Sequence, residues 1–282
     1  MISIIIPCHN EENYIEACLH AILLQINLPP SHQVQIIVIA NACTDQTLTC
    51  VRRFSENLRS KGFLLTLIDT PEPGKTNAIN QGERMAIFDK RLYLDADVII
   101  SETLLAELAD VLNNTSPVYA SGTLKIPKSR SLATRGYAKI WENLPFVKFD
   151  IPGIGLYALN KAARERWDAF PRIYSDDRFV RLNFRHAERK KIAATYLWPL
   201  PDGFFNLIKA RIRWSKGNFE INRKFPNLLE NDARSSDMLG IIINFLRFPV
   251  SAVVFISIYS FGTVLALKTK KEDSFEWLRG RS

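Results

Sequence analysis

Two aspartates separated by a single residue, Asp95 and Asp97, stand inside an otherwise apolar run, Arg91-Leu-Tyr-Leu-Asp-Ala-Asp-Val-Ile-Ile100. Residues i and i+2 of a strand project to the same side, so the pair can aim two carboxylates at one point. That point suits a hard cation. Two carboxylates that leave coordination positions open favour Mg²⁺ or Mn²⁺ shared with a phosphate over a closed Ca²⁺ cage, and zinc would call for His and Cys. A metal held in this way brings a nucleotide with it. An isolated Asp-x-Asp would serve equally well as an exposed strand end or turn, and this one is set apart by the three strand-helix alternations that precede it.

Those alternations are read from apolar periodicity. Residues 2–6 form a β-branched run ended by Pro7, which predicts a buried parallel strand, and 34–39 and 63–68 predict two more. Helices are expected over 14–25, from a Thr44 cap towards residue 60, and over 76–88 behind the stiff loop Pro71-Glu-Pro-Gly-Lys75. The pattern implies an α/β fold with a doubly wound, mostly parallel central sheet. Ligands of such sheets bind beyond the carboxyl ends of the strands. Those ends carry Asn10, Glu11, Asn41, Asp45, Lys75, Asp95 and Asp97.

Two phosphate-binding patterns fail on inspection. Gly74-Lys75-Thr76 would close a P-loop only with a glycine at position 69, where Asp69 stands. Gly153-Ile-Gly155 lacks the third glycine of a dinucleotide fingerprint, since Ala158 occupies that place.

Beyond Ser101 the pattern loosens. Residues 104–112 are amphipathic, 118–124 and 192–197 read as strands, and helices are expected over 131–142, 160–167 and 204–223. Pro152-Gly-Ile-Gly-Leu-Tyr-Ala158 is a glycine turn running into a strand, suited to close backbone approach of a ligand. Ser175 followed by Asp176 and Asp177 fits an N-cap with acids in the first turn, a pattern that also serves simply to start a helix. The isolated His9 and His186 carry no metal role.

With 47% hydrophobic and 23% charged residues, the 282-residue chain is not disordered over most of its length. Its +8 charge favours anionic partners. No basic run interleaved with aromatics supports nucleic acid, which leaves anionic lipid or a phosphorylated substrate. Cys8, Cys18, Cys43 and Cys50 have no Cys-x-x-Cys spacing, which predicts reduced thiols in a cytosolic domain. The opening residues lack the pattern of a signal peptide, so catalysis is expected in the cytoplasm.

Taken in order, these pieces resemble the family 2 glycosyltransferases of GT-A fold. The matching segments are Ile4-Ile-Ile-Pro-Cys-His-Asn-Glu-Glu12, Ile36-Ile-Val-Ile-Ala-Asn-Ala-Cys-Thr-Asp45, Gly74-Lys75 with Asn77 and Asn80, and Leu94-Asp-Ala-Asp97. Gly153-Ile-Gly-Leu-Tyr157, Ser175-Asp-Asp177 and Arg211-Ile-Arg-Trp214 complete the set, which spans about 1–220. The resemblance implies a nucleoside-diphosphate-sugar donor bound by Pro7, Asn10, Glu11, Asn41, Lys75, Asp95, Arg213 and Trp214, with Asp97 and Asp95 holding Mg²⁺ or Mn²⁺ on the diphosphate. It also implies Asp177, with Asp176 as alternate, as the base that deprotonates the acceptor hydroxyl in a direct inverting displacement, with Gly153, Gly155 and Tyr157 on the acceptor side. Two departures stand out. Many relatives carry aspartates where this chain has Ala40 and Asn41, which weakens the case for a uridine nucleotide. Ala210 replaces the glutamine of Gln-x-x-Arg-Trp, which favours single-sugar transfer over processive synthesis.

The expected organisation is a GT-A domain over 1–225 and a membrane-associated helical segment with a basic tail over 226–282. Residues 239–267 are strongly apolar, interrupted by Arg247 and Pro249, and uncharged from 248 to 267. Lys268, Lys270 and Lys271 follow, and positive charge there would keep that end cytoplasmic. Three placements stay open: a single span, a re-entrant or interfacial pair broken at Arg247-Phe248-Pro249, and a soluble core helix. The membrane placements would bring the active site, on the cytoplasmic face of the membrane, to a lipid-linked or envelope glycan acceptor. Rival readings are a nucleotidyltransferase, disfavoured by the acidic loop Cys8-His-Asn-Glu-Glu12, and an inactive nucleotide-sugar-binding scaffold, motivated by Ala40.

Overall fold

The computed structural model describes residues 1–28, 33–232 and 238–269. The chain divides into two units. The first comprises Met1–Leu124, Gly153–Arg172 and Phe184–Trp198, and the second Lys125–Pro152, Ile173–Asn183 and Pro199–Ser282.

The first unit is organised by an eight-stranded sheet of order β3-β2-β1-β4-β7-β6-β8-β5. Its strands are β1 (Ile2–Cys8), β2 (Val34–Asn41), β3 (Leu64–Thr70), β4 (Arg91–Leu94), β5 (Ile99–Ile100), β6 (Tyr119–Lys125), β7 (Leu156–Leu159) and β8 (Arg189–Leu197). The expected α/β architecture is present. β3, β2, β1 and β4 run parallel, and every residue of β1 and β2 is buried, which is why both read as unbroken apolar runs. β7 joins the sheet antiparallel to β4, β6 antiparallel to β7, and β5 antiparallel to β8.

Local differences from the sequence expectations have physical causes. β1 continues through Pro7 because β4 pairs with it only at Ser3–Ile5, so a residue without an N–H lies past the end of that ladder. Thr44 is not a cap. The helix Thr47–Arg53 starts three residues later, where Asp45 Oδ1 accepts from the Thr47 backbone N–H at 3.0 Å, and a second helix, Ser55–Ser60, follows. The run 91–100 is not one strand. β4 ends at Leu94, the Val98 N–H donates to the Asp95 carbonyl at 3.1 Å, and this turn sends β5 to the opposite edge of the sheet.

The second unit is helical, built from Leu132–Trp141, Pro145–Lys148, Asp176–Leu182, Phe204–Lys224, Met238–Arg247 and Pro249–Lys268. Ser131 caps its helix through Oγ, which accepts from the Thr134 N–H; in the first unit Asn160 likewise caps the helix Lys161–Arg164 on the Ala163 N–H. Pro249 opens the last helix, where its missing N–H costs nothing, so the chain breaks at Phe248 as the sequence suggested. Lys270 and Lys271 of the expected basic tail lie outside the described residues.

Candidate active site

At the carboxyl ends of the parallel strands, two loops are tied together. Asn10, held at φ 57°, accepts through Oδ1 from the Thr44 N–H at 2.7 Å. Thr47 Oγ1 accepts from the Glu11 N–H at 2.7 Å, and Asp45 Oδ2 from the Glu12 N–H at 3.1 Å. His9 Nδ1 lies 2.7 Å from the Asn41 carbonyl oxygen, which gives that ring a structural partner. The loop after β1 is thus fastened to the loop after β2, and the half-buried Glu11 is carried on this fastening.

The loop before Lys75 is held from beneath. Asn41 is fully buried. Its Oδ1 accepts from the Gly74 N–H at 2.8 Å and its Nδ2 donates to the Glu72 carbonyl. Gly74 has φ 126°, a region that favours glycine, and the helix Lys75–Met85 starts directly after it. Lys75 Nζ then reaches Asp95 Oδ1 at 2.7 Å.

Asp95 and Asp97 share a turn rather than one strand face. The Asp95 N–H donates to the Gly155 carbonyl at 2.9 Å, which fixes the first aspartate against the glycine turn before β7. The field here is negative. Burial, then Asp97, Asp95 and Glu11, push the Cys18 thiol far above its ordinary value. Burial is again the largest cause of the rise at Cys8, where Cys18, Glu11 and Asp95 contribute. All four cysteines are free. Among the described residues, no three His, Cys, Asp or Glu side chains are grouped so that they could hold a metal ion.

The glycine turn before β7 is tightly packed. A Cβ on Gly153, at φ 63°, would lie 1.6 Å from Tyr119 Oη, and one on Gly155, at φ 73°, would lie 2.8 Å from Trp198 Cδ1. The close approach is therefore made by the protein's own aromatic side chains. Tyr157 is 2% exposed and stacks on Tyr93 at 4.7 Å, which places it in the core. Pro7 is also buried, at the end of β1.

A polar cluster that sequence reasoning missed gathers around Glu83. Glu83 accepts from Tyr93 Oη and from Arg164 Nε, the latter at 3.0 Å, and lies 3.5 Å from Arg91 Nε. Its members are scattered through the sequence, so no local spacing announces it.

Asp176, Asp177, Arg213 and Trp214 belong to the second unit. Ser175 is the N-cap residue but makes no side-chain capping bond. Asp176 is 3% exposed, and the half-buried Asp177 accepts through Oδ1 from the Arg178 N–H at 2.7 Å. The following turn is braced by Arg178 and Arg181, which both donate to Asp232, at 2.9 and 2.7 Å, and by Arg181 donating to Asp150 at 3.0 Å. Arg213 and Trp214 are half-buried on the helix Phe204–Lys224, beside the buried Ala210 and Ser215. Gly217 of that helix faces the acidic turn so closely that a Cβ would lie 2.1 Å from Ser175 Oγ.

The model of the family described as "Glycosyl transferase family 2" matches residues 3–153, more than half of the chain. The chain belongs to that family. Among curated relatives, the poly-β-1,6-N-acetyl-D-glucosamine synthase of Staphylococcus epidermidis is 24% identical over 236 residues, covering 78% of this chain and 55% of its own length. The Staphylococcus aureus (strain MSSA476) synthase is 25% identical over 237 residues with the same coverage, so this glycosyltransferase spans about half the length of the curated relatives it matches. Among solved structures, a Pyrobaculum calidifontis mannosyltransferase in complex with GDP-Man and Mn²⁺ superimposes with TM-score 0.61 at 21% identity, covering 95% of this chain and 77% of that one. S. aureus TarS in complex with UDP gives 0.53 at 14% identity, covering 99% and 94%. The fold is GT-A-like, as the strand order and the polar rim indicate.

Proposed function

We propose that this glycosyltransferase moves one sugar from a nucleoside-diphosphate sugar to a hydroxyl of a lipid-linked or envelope glycan acceptor, at the cytoplasmic face of a membrane, with inversion at the anomeric carbon. The observation that carries the donor half is the Lys75–Asp95 contact of 2.7 Å, at the carboxyl ends of the parallel strands and in one turn with Asp97. It sets a cation and two carboxylates where open α/β sheets bind phosphorylated ligands.

Asp97 and Asp95 are assigned to hold Mg²⁺ or Mn²⁺, which neutralises charge on the departing diphosphate. Mn²⁺ with GDP-Man in the mannosyltransferase neighbour supports this assignment. Lys75 binds the diphosphate side of the donor, and Arg213 and Trp214 serve the diphosphate and acceptor. Glu11 and Asn10 line the nucleoside side. Asn41, fully buried, acts through the Gly74 backbone as a positioning residue. Asp177 takes the acceptor hydroxyl proton, the acceptor oxygen bonds to the anomeric carbon, and the bond from that carbon to the diphosphate oxygen breaks to release the nucleoside diphosphate. Asp176 is the alternate base. Ala210 in place of glutamine supports transfer of a single sugar.

The test is a panel of uridine, guanosine, cytidine and deoxythymidine diphosphate sugars, incubated with purified protein and Mn²⁺ or Mg²⁺, with release of free nucleoside diphosphate as the readout. Release from one donor that EDTA abolishes supports the proposal. Release of pyrophosphate would instead identify a nucleotidyltransferase, and donor binding without turnover across lipid-linked and glycan acceptors would identify an inactive scaffold.

A further inference from the structure

The helices Met238–Arg247 and Pro249–Lys268 expose a long apolar surface. Leu239, Leu246, Val250, Val253, Phe261 and Leu267 are each more than half exposed. The second helix is long and apolar enough to cross a bilayer by length and composition. Whether it can do so depends on what holds its other side.

That side is docked along most of its length on polar helices of its own unit. Tyr137 stacks on Phe255 at 4.9 Å, and the Arg211 guanidinium lies 3.8 Å from the centre of the Tyr259 ring. Ser215 Oγ is 3.5 Å from Thr263 Oγ1, and Gly262 is a glycine because a Cβ there would lie 2.5 Å from Arg211 Cγ. The partner helix, Phe204–Lys224, carries Lys209, Arg211, Arg213 and Lys216 along the docked stretch. A crossing of the hydrocarbon would draw these cations in with it, at high cost. A helix lying in the interface plane does not meet that cost, because it buries one apolar face and leaves the other on protein.

The charge around the face fits an anionic lipid surface. Residues 238–268 contain no Asp or Glu and carry Arg247 and Lys268, both exposed. The neighbouring helix Leu132–Trp141 likewise has no acid and adds the exposed Arg135 and Lys139. Lys139 Nζ sits 4.0 Å over the Phe248 ring, at the break between the two helices. Asn244, buried on the first helix, donates through Nδ2 to the Ile140 carbonyl at 3.2 Å and ties that helix to the same basic neighbour.

We propose that the two helices lie flat in one leaflet of an anionic membrane without crossing it. Their exposed apolar face enters the acyl region, and Arg135, Lys139, Arg247 and Lys268 meet the headgroups. This goes beyond the functional reading, since it concerns how the protein is attached and is measured without donor or acceptor.

The purified full chain is floated with vesicles of phosphatidylcholine alone and of phosphatidylcholine mixed with phosphatidylglycerol. Co-flotation with the mixed vesicles that weakens as salt rises, and that Val253→Glu or Leu246→Glu reduces about tenfold, is the expected result. Sidedness is read in sealed inside-out membrane vesicles from cells expressing the full chain with Glu230→Cys or Thr269→Cys, labelled by an impermeant maleimide and mapped by peptide mass. Both sites should react in intact vesicles. Reaction of one site only after detergent would overturn the proposal in favour of a span. Absence of flotation, or self-association in solution that Val253→Glu abolishes while vesicle binding is unchanged, would overturn it in favour of a face that covers a second copy or none.

Discussion

Asn41 Oδ1 accepts a 2.8 Å hydrogen bond from the backbone N–H of Gly74, while the Asn41 side chain is fully buried. The same amide donates to the Glu72 carbonyl, so both of its ends hold the loop that delivers Lys75. An aspartate here could keep the first bond but would oppose the Glu72 carbonyl with a second acceptor. Asn41→Asp is therefore expected to destabilise the fold by about 1–3 kcal/mol. Thermal denaturation checks this, with roughly 2–4 °C lost per kcal/mol in a chain of this size. Asn41→Leu, which removes both bonds at nearly constant volume, should weaken donor binding, and unchanged affinity would count against the positioning role.

Lys75 and Asp95 are 26% and 31% exposed, so their ion pair adds little to stability, less than about 1 kcal/mol. A charged hydrogen bond to a bound diphosphate would be worth more, about 1.5–3 kcal/mol. Lys75→Met is accordingly expected to weaken nucleoside diphosphate binding about 10- to 100-fold with almost no change in melting temperature. Calorimetric titration with the nucleotide, beside a thermal melt, separates the two effects.

Gly153→Ala should be far more disruptive than a surface change. The added Cβ would overlap Tyr119 Oη and sit at φ 63°, and overpacking of this kind costs about 1–3 kcal/mol before any backbone strain. Tyr119→Phe in the same chain removes the hydroxyl and should restore part of the loss. A double variant no more stable than Gly153→Ala alone would show that the backbone, not the tyrosine, sets the requirement.

Asp177→Asn is expected to abolish transfer and leave donor affinity within about twofold, since only proton removal from the acceptor is lost. Donor binding lost together with transfer would place Asp177 on the nucleotide instead. Asp176, at 3% exposure, is expected to respond mainly in stability.

The hydrogen bond from Arg166 lowers the Glu188 pKa. A depressed carboxyl stabilises the fold above its unfolded pKa, about 4.3, and that contribution fades as pH falls through the lower folded value. Wild type and Glu188→Gln should differ by less than about 1 kcal/mol at neutral pH, the pair being about a quarter exposed, and converge in acid. Urea unfolding at several pH values provides the comparison.

The parallel half of the fold was legible because β1 and β2 are buried on both faces, so strand identity is written in uninterrupted Ile and Val. In the antiparallel half, β6, β7 and β8 were legible as strands but their direction was not, since it leaves no mark in composition, and the two-residue β5 was hidden in the run 91–100. The relation of Asp95 to Asp97 was misread as strand alternation, because the turn that sets it is anchored on Gly155, sixty residues away. The packing of Tyr119 and Trp198 against the glycines at 153 and 155 joins residues distant in sequence and leaves no local mark. The helix break at Arg247-Phe248-Pro249 was visible in proline chemistry, whereas the docking of Pro249–Lys268 on a charged helix depends on contacts across about fifty residues, such as Ser215 with Thr263.

The most direct test of the account is the metal dependence of nucleoside diphosphate release from the matching donor, in wild type and in Asp97→Asn. Wild-type release should require Mn²⁺ or Mg²⁺, and Asp97→Asn should lose it while melting at the wild-type temperature. Near-normal release by Asp97→Asn, or by wild type in EDTA, would contradict it.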